Sequence, residues 1–369
     1  MGGLFHLISS NDFGACHQEG ESVIYVDDDT DNTHESDPNR LKELIEQEAQ
    51  NSASWLRDNK LCVAADKSKL LVIGTKQLRT QKLKNWKMSI RVDGKDIEET
   101  DSEKLLGVVI NNEMTWKNHL HGDTNNAGLI AQLSQRIGIL KKLSRRMSKA
   151  RLKVFASGIF YSKLQYCLPV FGNIFGLEKY RDTNNKFSSF TKSDNKKLQV
   201  LQNSLNRMLT ESEYNTPTEK LLEKSDSLSI QQMIALQTLT MTYKIIKSGK
   251  PTYLAERLKI RNVDKNIRGS QGTILTRNLT LSIAREGFLH RAATLLNMLP
   301  PTLRNEPKLS KFKTDARTWI KKNIAVKPLN KFPNLTRATR CPPPPPQPPA
   351  PPTVPRMNLI TQYFQQITR

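Results

Sequence analysis

The stretch Val23-Ile24-Tyr25-Val26-Asp27-Asp28-Asp29-Thr30-Asp31 decides how the chain is read. Apolar β-formers with an aromatic read as a buried strand, and the Asp cluster reads as the turn that ends it. Successive strand residues face opposite ways, so neighbouring carboxylates share one task only where the pleat breaks. Crowded carboxylates raise one another's pKa. A divalent cation is the usual compensation, Mg²⁺ taking one or two protein carboxylates together with substrate phosphates. These residues alone leave two readings open: a solvated acidic turn after an edge strand, or a metal-holding turn.

The neighbouring blocks favour the second. Upstream stand Gly2-Gly3-Leu4-Phe5 and Asn11-Asp12-Phe13. Downstream come Trp55-Leu56, Asn59-Lys60-Leu61, Lys67-Ser68-Lys69 and Leu70 to Thr75, then Leu105 to Ile110 with Met114-Thr115-Trp116 and His119. Tyr25-Val26-Asp27-Asp28 resembles the Y-x-D-D box of reverse transcriptases, and the other blocks follow that family's order. Several ordered blocks are far more specific than one. The chain resembles the reverse transcriptase of non-LTR (LINE-type, jockey-like) retrotransposons, entered partway through its palm.

The resemblance implies an α+β fold: a partial palm with its primer-grip region over 1–116, then a helical thumb-like region over 117–177. A linker over 178–195, a helical region over 196–325 and a Pro-rich disordered tail over 326–369 complete the layout. It implies RNA-directed DNA polymerase chemistry, a nucleotidyl transfer in which two Mg²⁺ ions clamp the attacking 3′-oxygen and the leaving pyrophosphate. Asp27 is then the metal ligand, Asp28 its supporting partner, and Tyr25 lies on the primer side. Lys67, with Lys69 as alternate, neutralises or protonates the leaving pyrophosphate. The family's first catalytic Asp and its fingers have no counterpart in the sequence. The expectation is therefore a C-terminal portion, catalytically incomplete by itself, or a non-catalytic basic nucleic-acid-binding protein derived from such an element.

Composition agrees with a polyanionic partner. The 369 residues carry a formal charge of +22, and phosphate backbones are the commonest sink for such a surplus. No apolar run approaches the roughly 18–20 residues that span a bilayer, and no secretory signal stands at the N-terminus. Cys16, Cys62, Cys167 and Cys341 lie far apart and read as free thiols of a reducing, intracellular compartment, nuclear or cytoplasmic. His119-x-His121 lacks partners at zinc spacing.

In chain order, Leu41, Leu44, Ile45, Trp55 and Leu56 mark an amphipathic helix over 39–58. Residues 61–64, 70–75 and 104–110 read as strands, and Met88 to Glu98 as a hairpin turning at Asp93-Gly94. From Leu129 the period becomes helical, with a second helix from about Ser148 to Gln165. Lys141, Lys142, Arg145, Arg146, Lys149, Arg151 and Lys153 place seven cations in thirteen residues there. They are assigned to contact with primer–template RNA and DNA phosphates, and Tyr161, Tyr166 and Phe171 nearby are assigned to the core. Further helices are expected over 197–210, 218–223, 230–247, 284–298 and 309–321. Thr216 is expected to cap the second of these, with Pro217 at its first position.

Pro342 to Pro355 form a polyproline II spacer. Beyond it Ile360, Tyr363 and Phe364 space as one helical turn, a shape for docking into a groove. Met357 to Phe364 resembles the PCNA-interacting peptide that docks on sliding clamps, with Met357 in place of its Gln.

Overall fold

The computed structural model describes residues 8–26, 28–74, 79, 86–124, 126–174, 190–260, 273–274, 284, 286–326 and, as backbone, 359–368. The chain is α+β and divides into two units, Met1–Thr115 with Pro333–Arg369, and Trp116–Phe332.

In the first unit β1 (Glu21–Tyr25) and β2 (Asp28–Glu35) form an antiparallel hairpin with Tyr25 opposite Asp28. Val26 enters the tight turn in the left-handed region, at φ 61°. The expectation of a buried apolar strand is corrected here. Val23 and Tyr25 are 55% and 61% exposed, whereas Asp29, Thr30, Asp31 and Thr33 are buried. Position in the sheet outweighs side-chain polarity: β1 is an edge strand, and β2 lies between two neighbours.

A single helix, α1 (Pro38–Asp58), follows, capped by the Asp37 carboxylate accepting from the amides of Asn39 and Arg40. Its apolar stripe buries Leu41, Ile45, Ala49 and Ala53 against Leu70 and Val72 of the sheet and Ile90, Val92 and Ile97 of a hairpin. Each large side chain so buried contributes roughly 1.5–3 kcal/mol. The chain then forms β3 (Cys62–Val63) and β4 (Lys69–Ile73). The hairpin β5 (Ser89–Val92) and β6 (Lys95–Glu98) turns at Asp93 and Gly94, with φ of 49° and 78°, the geometry of a type I′ turn. Residues 104–110, expected as one strand, fold back instead as β7 (Ser102–Leu105) and β8 (Val108–Asn111). Leu106 and Gly107 supply the turn at φ 44° and 85°, and the apolar run conceals it.

The central strand of the sheet comes from far along the chain. β9 (Leu359–Thr368) pairs antiparallel with β2 on one side and with β4 and β3 on the other. Phe364 lies in register with both Thr30 and Lys69. β2, α1 and β4 are thus a split β–α–β unit whose gap β9 fills. The helical turn expected at Ile360, Tyr363 and Phe364 is corrected to an extended strand, in which those three spacings have no common face. Residues 327–358, with the proline spacer, lie outside the described residues.

The second unit is helical around one apolar core. α2 (Leu129–Leu143) and α3 (Lys149–Ala156) are joined by a short turn, and α3 runs through a π-helical segment, Ser157–Tyr161, into Ser162–Gln165. Arg136 donates to the Ile159 carbonyl in that segment. Of the three aromatics assigned to the core, Phe171 is buried, but Tyr166 is 47% exposed. α4 (Lys192–Thr210) starts five residues before the expected 197, because Thr191 and Asp194 form a capping box. α5 (Thr218–Lys224) begins at the expected residue, but with Pro217 rather than Thr216 at the N-cap. α6 (Ile230–Ser248), α7 (Phe288–Met298) and α8 (Leu309–Asn323) are its other long helices among the described residues. Gln199, Gln202 and Asn203 of α4 are buried and hydrogen-bond the Ile230 amide, the Leu228 carbonyl and the Thr218 hydroxyl. They lock the starts of α5 and α6 to α4.

Candidate functional site

The hairpin tip is the first place to look. Tyr25 is exposed and Asp28 half-buried at the first position of β2. Asp27 lies outside the described residues. Lys67 is exposed in the loop before β4, and Lys69 is the half-buried first residue of that strand.

The second place is the corner between α2 and α3. Lys141 and Lys142 end α2, Arg145 and Arg146 lie in the turn, and Lys149, Arg151 and Lys153 lie on α3. All seven are exposed. Among the described residues Lys149 alone of them is ion-paired: its Nζ lies 2.7 Å from Glu211 Oε1 and donates to the Met208 carbonyl at 3.3 Å. Exposed apolar groups flank the charges, Ile139 at 50%, Val154 at 70% and Phe155 at 46%. The lysines at the end of α2 also meet the negative pole of that helix, which favours cations.

The third place was not singled out by sequence. Behind β2, beneath α1, His17, Asp29, Asp31 and Glu48 converge in a pocket closed to solvent. Phe13, buried in the short 3₁₀ turn Phe13–Cys16, packs on Trp55 at 4.9 Å between ring centroids and on the His17 ring edge-to-face at 5.5 Å. That contact carries His17 under the helix. Glu48, fully buried on α1, accepts from the backbone amides of Gln18 and Glu19 and lies 3.2 Å from His17 Nδ1. Asp31 Oδ1 is 3.4 Å from the same nitrogen, and Asp29 Oδ2 is 4.0 Å from His17 Nε2. Ser22 donates to Asp29 Oδ1 at 2.7 Å.

Burial pushes both Asp carboxyls up, and the neighbouring Asp29 charge adds to the effect on Asp31, which reaches about 8. Burial likewise raises the Cys16 thiol beside them to about 11. One signal was available in sequence: residues two apart on a strand share a face, so Asp29 and Asp31 must point together. Nothing in the sequence placed His17 or Glu48 opposite them.

His119 and His121 serve the fold. His119 is buried against Phe171, ring centroids 4.8 Å apart, and burial lowers its pKa to about 4. His121 Nε2 lies 2.7 Å from Oδ1 of Asp194, the third residue of α4 and partner of Thr191 in its capping box. Among the described residues no helix is long and apolar enough to cross a membrane. Comparison with protein-family models, with curated proteins and with solved structures finds no match.

Proposed function

We propose that the chain binds RNA and DNA through phosphate contacts at the α2–α3 corner, and that it derives from a retrotransposon reverse transcriptase, the first unit corresponding to the palm and the α2–α3 region to the thumb. One observation carries the binding: six exposed cations within residues 141–153 have no ion-pair partner among the described residues. Cations held on a folded surface without counter-charges gain most from releasing the counterions of a polyanion. The exposed apolar side chains flanking them give the surface something to lay against sugar and base edges. Sequence preference is weak in this arrangement, because phosphates are the same at every step.

The polymerase lineage is supported by the setting of Tyr25, Val26 and Asp28 at the turn of an antiparallel hairpin, beside a split β–α–β unit. A tip is where consecutive carboxylates can address one ion. In this reading Asp27 and Asp28 hold Mg²⁺, whose contribution is to neutralise charge on the substrate phosphates. Asp28, half-buried as the strand begins, keeps a carboxylate next to the turn, and Tyr25 faces solvent where a primer end would lie. Lys67, exposed before β4, is the cation for the leaving group.

Fluorescence anisotropy with a labelled primer–template duplex tests the binding. Titration in 50 mM KCl should show micromolar or tighter binding, indifferent to sequence and weakened steeply by added salt. Absence of binding at 50 mM KCl, or binding insensitive to salt, overturns the proposal.

A further inference from the structure

The pocket under α1 differs from an ordinary acidic cluster in two respects. Its polar atoms are buried and left over: His17 Nε2, Asp29 Oδ2 and both carboxylate oxygens of Asp31 have no hydrogen-bond partner among the described residues. Asp29 and Asp31 are each 1% exposed, so water does not reach them as it would on a surface. Buried polar atoms are nearly always satisfied, and a group of four unsatisfied atoms facing one another points to a missing partner.

The imidazole is also aimed. Glu48 is fixed by two backbone amides and lies beside His17 Nδ1. A carboxylate there holds the proton on Nδ1 and leaves the lone pair on Nε2, directed toward Asp29 Oδ2. This is how proteins orient a metal-binding histidine through its second nitrogen.

We propose that His17, Asp29 and Asp31 bind one divalent cation of the Zn²⁺ or Mn²⁺ class, with Glu48 as the residue that positions His17. One donor atom from each of the three lies within 4.8 Å of the others. Donors on a tetrahedral ion with bonds of about 2.0–2.1 Å stand about 3.4 Å apart, so small side-chain rotations close the site. A nitrogen donor among carboxylates selects a transition cation over Mg²⁺ or Ca²⁺, which favour oxygen sets. Two carboxylates balance the double charge, and the ion ties the loop at His17 to β2. The site lies beneath the helix, on residues other than Asp27 and Asp28, and its occupancy is independent of nucleic-acid binding.

The full chain, stripped with chelator and desalted, is incubated with ZnCl₂ or MnCl₂ in the absence of nucleic acid. Bound metal is then counted by elemental analysis and the thermal midpoint is recorded. Expected are one equivalent retained after desalting and a raised midpoint. Asp31→Asn should abolish both, while putting a neutral group of nearly the same shape in the pocket and so leaving the metal-free protein folded. Glu48→Gln should weaken retention at least tenfold without abolishing it, because it leaves the three ligands in place. Asp27→Asn with Asp28→Asn should leave the equivalent unchanged. No retained metal, full retention by Asp31→Asn, or loss of the equivalent in the Asp27/Asp28 variant would each overturn the assignment.

Discussion

Neutralising Arg145, Arg146 and Arg151 together should halve the salt dependence of nucleic-acid binding. Each phosphate neutralised on duplex contributes about 0.9 to the slope of log K against log salt. With all six unpaired cations engaged, the slope is about −5, and affinity falls roughly a thousandfold between 50 and 200 mM KCl. Arg145→Gln, Arg146→Gln and Arg151→Gln leave three contacts and a slope near −2.7, a fall of roughly fortyfold over the same range. All three side chains are exposed, so the substitutions disturb no packing. Lys149 makes the internal control: its charge is already met by Glu211, and Lys149→Gln should shift the slope by much less than one unit. Anisotropy titrations at four salt concentrations give each slope directly. A triple variant with the parent slope, or a Lys149 variant as deficient as the triple, would refute the assignment of the corner.

Other consequences concern stability. His119 has a folded pKa of about 4, below its ordinary 6.5, so the unfolded chain binds the extra proton first. The contribution is present above pH 6.5 and lost toward pH 4, roughly 3 kcal/mol in all. His119→Leu should flatten the thermal midpoint between those pH values, and an unchanged acid dependence would count against this origin. Phe312 is fully buried and stacked on Tyr243 at 4.4 Å. Phe312→Ala should cost about 3–5 kcal/mol in urea denaturation, and a loss below 1 kcal/mol would show that the site collapses. Truncation before residue 359 should expose the facing edges of β2 and β4 and speed hydrogen exchange of the Leu71 and Ile73 amides; unaltered protection would show that β9 does not hold them.

Where one element obeys one period, the sequence was enough. The stripe from Leu41 to Leu56 predicts α1, the apolar spacing from Leu129 to Leu143 predicts α2, and Asp93-Gly94 marks its hairpin. Legibility fails where long-range partners set burial. β2 has the sequence Asp-Asp-Thr-Asp-Asn-Thr-His-Glu, with no apolar alternation to announce a central strand, and it is buried because β1, β9 and α1 surround it. Leu106 hides a turn inside an apolar run because Gly107 supplies the second positive φ. The cations of 141–153 were visible as a run of charge, but which of them lacks a counter-ion depends on Glu211, some sixty residues away in sequence. The pocket at His17 was invisible for the same reason, since Glu48 meets it only after α1 folds across the sheet.

The origin of β9 also sets the order in which the first unit can be assembled on the ribosome. The hairpin of β1 and β2, the helix α1 and strand β4 emerge early. The strand that joins them is made only after residues 116–332 have been synthesised. Until then the facing edges of β2 and β4 are open, and unpaired edges recruit other chains. The helical unit, rich in local contacts, folds ahead of the sheet. During synthesis the first unit therefore persists as an unclosed intermediate with a strand-wide slot. A nascent-chain chaperone or a neighbouring polysome product meets that slot before the chain's own C-terminal strand does.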